Sequence, residues 1–81
     1  MVYIGTRKYK YGRMIMSHMI ADSLLELHEM ADQLNINRKW FQDKGKPHYD
    51  ICQSNKKKTL SLGAIEINDR EIVKLLKEIY E

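Results

Sequence analysis

Eighty-one residues, 43% hydrophobic and 31% charged, are read as one domain over residues 1–81 with a thin core and no second unit. The net charge of +3 is uneven: residues 1–20 hold Arg7, Lys8, Lys10 and Arg13 and no acid, while residues 35–60 hold seven basic side chains against Asp43 and Asp50, a pattern suited to an anionic ligand at one face. No apolar run approaches the ~20 residues of a membrane span, the opening stretch lacks a signal-peptide apolar region, and the single cysteine, Cys52, leaves no internal disulfide or cysteine-based zinc site and fits a reducing cytoplasm.

The first predicted element is a short strand, "VYI", closed by Gly5. "GTRKYKYG" reads as a basic loop with interleaved tyrosines. "RMIMSHMIA" is apolar on both parities, as expected of a strand covered on both faces. Ser23 and Glu26 form a capping box, so a helix starts there, striped by Leu24, Leu27, His28, Ala31 and Leu34 and stopped near Asn35. "RKWFQDKGKP" is irregular. "HYDIC" is a strand, "SNKKKTLSL" a helix that Gly63 stops in the left-handed conformation, and "AIEI" a strand. Asn68 and Glu71 start the last helix, striped by Ile72, Leu75, Leu76, Ile79 and Tyr80. The expectation is an α/β fold: one small sheet of about four strands, at least partly parallel, with about three helices.

Side chains alternate across a strand, so His18 shares a face with Met14, Met16 and Ile20, and Ser17 points the other way. His18 also falls near the carboxyl end of its strand, where open α/β sheets place ligands. His28 falls on the helix stripe that faces the sheet. His48 and Asp50 are two residues apart and share a strand face. Met14, Met16, Met19 and Met30 are more apolar surface than one small sheet is expected to cover, which predicts a homo-oligomer, a dimer or larger.

Gly12–Arg13, Ser17–His18, Asp22, Glu26 to His28, Phe41, His48 to Asp50 and Gly63–Ala64 together resemble a compact bacterial and phage family known only as domain of unknown function four-thousand-and-thirty-one. The resemblance covers nearly the whole chain except residues 1–10 and the lysine run. It carries no activity, but it implies a polar constellation, and its phage members make a counter-defence role an expectation.

The chemistry follows from the residue types. Imidazoles titrate near neutrality, so His18 and His48 are expected as the acid and base of a phosphodiester cleavage, with Asp50 or Asp22 orienting a ring and Arg13 holding phosphate oxygens. Tyr11, Ser17, Asp22, His28, Arg38 and Trp40 join Arg13 as candidate ligand-binding residues, with Tyr9 and Tyr11 able to stack on a base. A divalent metal needs three or four convergent ligands. His18, His28, His48 and an aspartate can supply them, but no pair has the helical i, i+4 spacing of a metal motif, so no cofactor is expected. Walker and dinucleotide phosphate loops and a nucleophile elbow are absent. The expected partner is a nucleotide-like anionic small molecule, without membrane or long duplex nucleic acid. Two alternatives stand: a sponge that sequesters a nucleotide immune signal, and a protein-interaction module.

Overall fold

The computed structural model describes residues 1–43 and 46–80. Five strands and three α-helices follow in order: β1 (Val2–Gly5), β2 (Tyr9–Tyr11), β3 (Met14–Ala21), α1 (Leu24–Gln33), a 3-10 turn (Arg38–Trp40), β4 (Tyr49–Cys52), α2 (Gln53–Ser61), β5 (Ile65–Ile67) and α3 (Asp69–Tyr80). The fold is α/β with a mixed sheet, one strand larger than expected. Among the described residues no helix is long and apolar enough to cross a membrane.

The extra strand is β2, which the sequence reading leaves as a loop. Its residues pair antiparallel with the start of β3, Tyr9 opposite Met16 and Tyr11 opposite Met14. Gly12 closes this hairpin at φ 61°, a conformation open to a residue without Cβ. Three strands converge on β3. Met16 faces both Tyr9 of β2 and Cys52 of β4, and Met19 faces both Ile4 of β1 and Tyr49 of β4. Hence β1 and β2 lie end to end along one edge of β3, and β4 takes the other. β1 then pairs in parallel with β5, Tyr3 opposite Ile65. The sheet is antiparallel around β3 and parallel only at β1–β5.

The helix ends follow the local signals. The Ser23 hydroxyl accepts from the Glu26 amide at 3.2 Å, and Asn68 Oδ1 accepts from the Glu71 amide at 2.9 Å, each satisfying an amide with no intrahelical partner. α1 ends with Asn35 at φ 58°, and α2 ends before Gly63 at φ 101°, as the sequence predicts.

The two faces of β3 bury different things. Its odd residues Met19 and Ala21 pack with Val2, Ile4, Tyr49 and Ile51 against Leu27, Met30, Ala31 and Leu34 of α1, with Leu60 of α2 at the margin. On the even face, Ile20 packs with Ile67 and with Ile72 and Leu76 of α3. Met19 and Met30 are therefore core, and of the four methionines that suggested an oligomer only Met14 is largely exposed. The lysine run divides too. Lys57 and Lys58 are exposed, but Lys56 is buried, its Nζ donating to the Gly5 carbonyl at 3.0 Å and pairing with Glu66 at 2.8 Å. That buried ammonium fixes α2 onto β1, because its charge has both a partner and a hydrogen bond.

Candidate functional site

α3 covers only the Ile20 half of its sheet face. The other half, carrying Met14, Met16 and His18 of β3, stays partly open. His18 is the fifth of eight residues in β3, so it sits on the face of the sheet and not at the carboxyl end of the strand, where it is expected from sequence. Its cross-strand partner in β4 is Asp50, and directly opposed residues in an antiparallel pair bring their side chains together on one face. His48 lies two positions before Asp50 and reaches the same face. A mutual backbone pair between His48 and Gln42, both bonds 3.0 Å, holds Gln42 alongside. Tyr9 joins from β2, set by its pairing with Met16.

Asp50 is the centre of the cluster. Its Oδ1 lies 2.9 Å from His18 Nδ1 and 3.4 Å from His48 Nε2, and its Oδ2 accepts from Gln42 Nε2 at 2.5 Å. The Tyr9 hydroxyl is 3.3 Å from His18 Nδ1, and the Tyr9 and His18 rings are 4.8 Å apart. The imidazoles of His18 and His48 meet edge to face at 5.1 Å. His48 Nδ1 is engaged with the Lys46 carbonyl at 2.7 Å, where a ring N–H must donate. The bond to Asp50 likewise places a proton on His18 Nδ1 and leaves its Nε2 lone pair outward.

Burial works against a charged Asp50, but hydrogen bonds from His18, Tyr9 and Gln42 and the proximity of His48 outweigh it and lower the carboxyl to about 2. Tyr9 moves the other way. Burial first, then its hydrogen bond to Asp50 and the negative charges of Asp50 and Asp69, keep the phenol protonated well above its usual range. The site is thus an ionised carboxylate ringed by donors. Its linkage to stability has a definite sign. The folded carboxyl binds a proton less tightly than the unfolded one, at the ordinary value of 3.8. Its contribution is complete above the ordinary value and is lost as pH falls towards the folded one. Thermal melts of the metal-free protein are expected to show a melting temperature that falls between about pH 4 and 2, with a shallower fall for Asp50→Asn. Parallel curves for parent and variant would count against this coupling.

Beside the cluster runs a groove of about 440 Å³. Met14, Met16, Trp40 and Cys52 line it, with Asn35 and Asn37 supplying amides, and Asp50 and Gln42 connect it to the cluster. Its position follows from β4, which pairs with β3 on one edge only. Trp40 is 60% exposed, so its ring is available to a ligand, with Lys39 Nζ 5.3 Å from its centroid.

The structure brings together His18, His48 and Asp50, with Trp40 on the adjoining groove. The other candidates lie elsewhere. Arg13 is exposed in the β2–β3 turn, next to Met14 on the groove wall but five residues along the strand from His18, about 16 Å at the usual rise. Ser17 is fully buried on the opposite face, donating to the Arg7 carbonyl at 3.0 Å and accepting from Gln53 at 3.2 Å. His28 sits under that same face, its Nδ1 2.7 Å from the Tyr49 hydroxyl and its ring 4.7 Å from Phe41. Asp22 is at the sheet's end beside the Met1 amine at 3.4 Å. Arg38 is bound by Asp32 at 2.8 Å. Tyr11 pairs within β2, and its side chain lies outside what the structure describes. Two members of the cluster, Tyr9 as a ligand of Asp50 and Gln42, escape the sequence reading. For Tyr9, nothing in "YKY" alone separates a strand from a basic loop. Gln42 carries no local signal.

A family model described as "Protein of unknown function (DUF4031)" matches residues 2–79. No curated protein matches, and no solved structure does.

Proposed function

The chain belongs to the family of proteins of unknown function DUF4031, and since that description names no reaction, we propose from the site itself that the protein hydrolyses a phosphodiester or related bond in a small nucleotide. The observation that carries this reading is the convergence of two imidazoles on one ionised carboxylate, Oδ1 of Asp50 lying 2.9 Å from His18 and 3.4 Å from His48. Asp50 fixes the His18 tautomer, so Nε2 is the basic atom that takes a proton from attacking water. The water oxygen forms the new bond to phosphorus as the bond to the leaving oxygen breaks. His48 in its protonated form, its Nε2–H turned from the 3.4 Å contact with Asp50 towards that oxygen, returns a proton to it. In the groove, the Trp40 ring and the methionines suit a flat base, and the amides of Asn35 and Asn37 suit its polar edge.

A second reading, a stoichiometric sponge for a nucleotide signal, is favoured by the groove. Asp50 lines it while His18 and His48 do not, so a ligand can be held there without meeting the imidazoles. A nucleotide-signalling target and a phage counter-defence role fit either reading.

Incubation with a panel of cyclic and linear nucleotides, followed by chromatography, separates the two. A new product peak that grows with time supports hydrolysis. Depletion of free nucleotide that heating reverses supports the sponge. An unchanged panel at protein in excess of nucleotide defeats both.

A further inference from the structure

We propose that His18, His48 and Asp50 form a binding site for one divalent transition-metal ion of the zinc type. Each offers one ligand atom, and the three atoms lie within 4.8 Å of one another. Two of the separations are known individually: His18 Nδ1 to Asp50 Oδ1 is 2.9 Å, and His48 Nε2 to the same oxygen is 3.4 Å. Bonds of about 2.0–2.1 Å in a tetrahedron put neighbouring ligand atoms about 3.3 Å apart, so both of these separations suit ligands of one ion, and the third, no more than 4.8 Å, closes with a small movement of the rings.

The hydrogen bonds around the trio point the same way. His48 Nδ1 donates to the Lys46 carbonyl at 2.7 Å, which is how a metal-ligating histidine is commonly oriented from behind. That bond spends the one proton of a neutral ring and turns the lone pair of Nε2 towards the carboxylate oxygen. Two acceptors then face each other across 3.4 Å, and only a cation between them, a proton or a metal ion, makes the contact favourable. Gln42 holds the other Asp50 oxygen, leaving Oδ1 to the shared position. Tyr9 stands 3.3 Å from His18 Nδ1 and borders the same space. Two nitrogens and one carboxylate select late first-row divalent ions over magnesium or calcium, which take all-oxygen sets.

The inference goes beyond the hydrolytic reading and does not depend on it. An ion here takes the place of the proton that His18 Nδ1 shares with Asp50, leaving the proton of that ring on Nε2, and occupies the His48 Nε2 lone pair while His48 Nδ1–H stays on the Lys46 carbonyl, so neither imidazole keeps a free basic nitrogen. A water on the ion then supplies the nucleophile if the site is hydrolytic.

Isothermal titration of chelator-treated protein with Zn²⁺ is expected to give one ion per chain, with Mg²⁺ giving no saturable heat. His18→Gln and His48→Gln are each expected to weaken Zn²⁺ binding more than about tenfold, with circular dichroism showing that both variants fold. Lys57→Ala, at an exposed position of α2 outside both the trio and the groove, is expected to leave binding unchanged. No saturable Zn²⁺ binding overturns the proposal, as does binding that survives both histidine changes. The two readings fail separately. Nucleotide turnover in a protein that shows no saturable Zn²⁺ binding removes the metal and keeps the hydrolase, whereas Zn²⁺ binding without nucleotide turnover removes the hydrolase and keeps the metal.

Discussion

His18→Gln is expected to lower turnover of a responsive nucleotide by about 100-fold or more, the usual scale for losing a general base. Glutamine keeps the length and hydrogen-bonding character of the ring, and His18 is only partly buried, with 36% of its side chain exposed, so the fold should persist. The loss should fall on kcat, because the groove that holds the base is lined by Trp40, Met14 and Met16 and does not include His18. Trp40→Ala is the complementary change and should raise KM with kcat little altered. Initial-rate kinetics on both variants provide the check. A His18→Gln enzyme with parental kcat would remove His18 from the chemistry and leave Asp50 and His48 as a structural pair.

Ile4→Ala is expected to cost about 2–5 kcal/mol, the range for truncating a large aliphatic side chain in a close-packed core. Ile4 is fully buried, pairing with Met19 of β3 on one side and Glu66 of β5 on the other. In a domain whose total stability is about 5–15 kcal/mol, this is a large fraction. The melting temperature should fall by roughly 10–30 °C for a chain of this size. Val73, 53% exposed on α3, is the control, and Val73→Ala should move the transition little. A fall below about 5 °C for Ile4→Ala would mean that the surrounding side chains collapse into the space.

Much of this architecture was legible in the residues because the signals are local. The alternation in "MIMSHMIA" places His18 on the Met14–Met16–Ile20 face and Ser17 with Met19, and the two faces do bury different partners. Ser23 with Glu26 and Asn68 with Glu71 mark helix starts that the structure contains. His48 and Asp50 share a face because a strand has a period of two. What was not legible depends on pairing. Three residues, Tyr9 to Tyr11, become a strand only because β3 supplies the hydrogen bonds, and nothing in "YKY" itself distinguishes that from a basic loop. Register is equally silent. The opposition of His18 to Asp50 joins residues far apart in sequence, and a slip by one position would send Asp50 to the buried face. Arg13 illustrates the converse. It is close to His18 in sequence, but an extended strand carries it away, so proximity along the chain misled where distance along the strand decides.

The parallel pairing of β1 with β5 has a consequence for how the molecule is made. β1 leaves a synthesising ribosome before β2, β3 and β4, and β5 follows them all. Residues 9–50, which carry Tyr9, His18, Gln42, His48 and Asp50, therefore exist before β1 can fill its second edge or α3 can cover Ile20. The nascent chain holds every residue of the cluster while one strand edge and one apolar face are still bare. An open edge of that kind is a template for pairing with another chain. A premature stop or a protease cut ahead of Ile65 would thus leave the chemistry written in the polypeptide and the sheet unsealed, so such fragments should accumulate as aggregates and not as partly active protein.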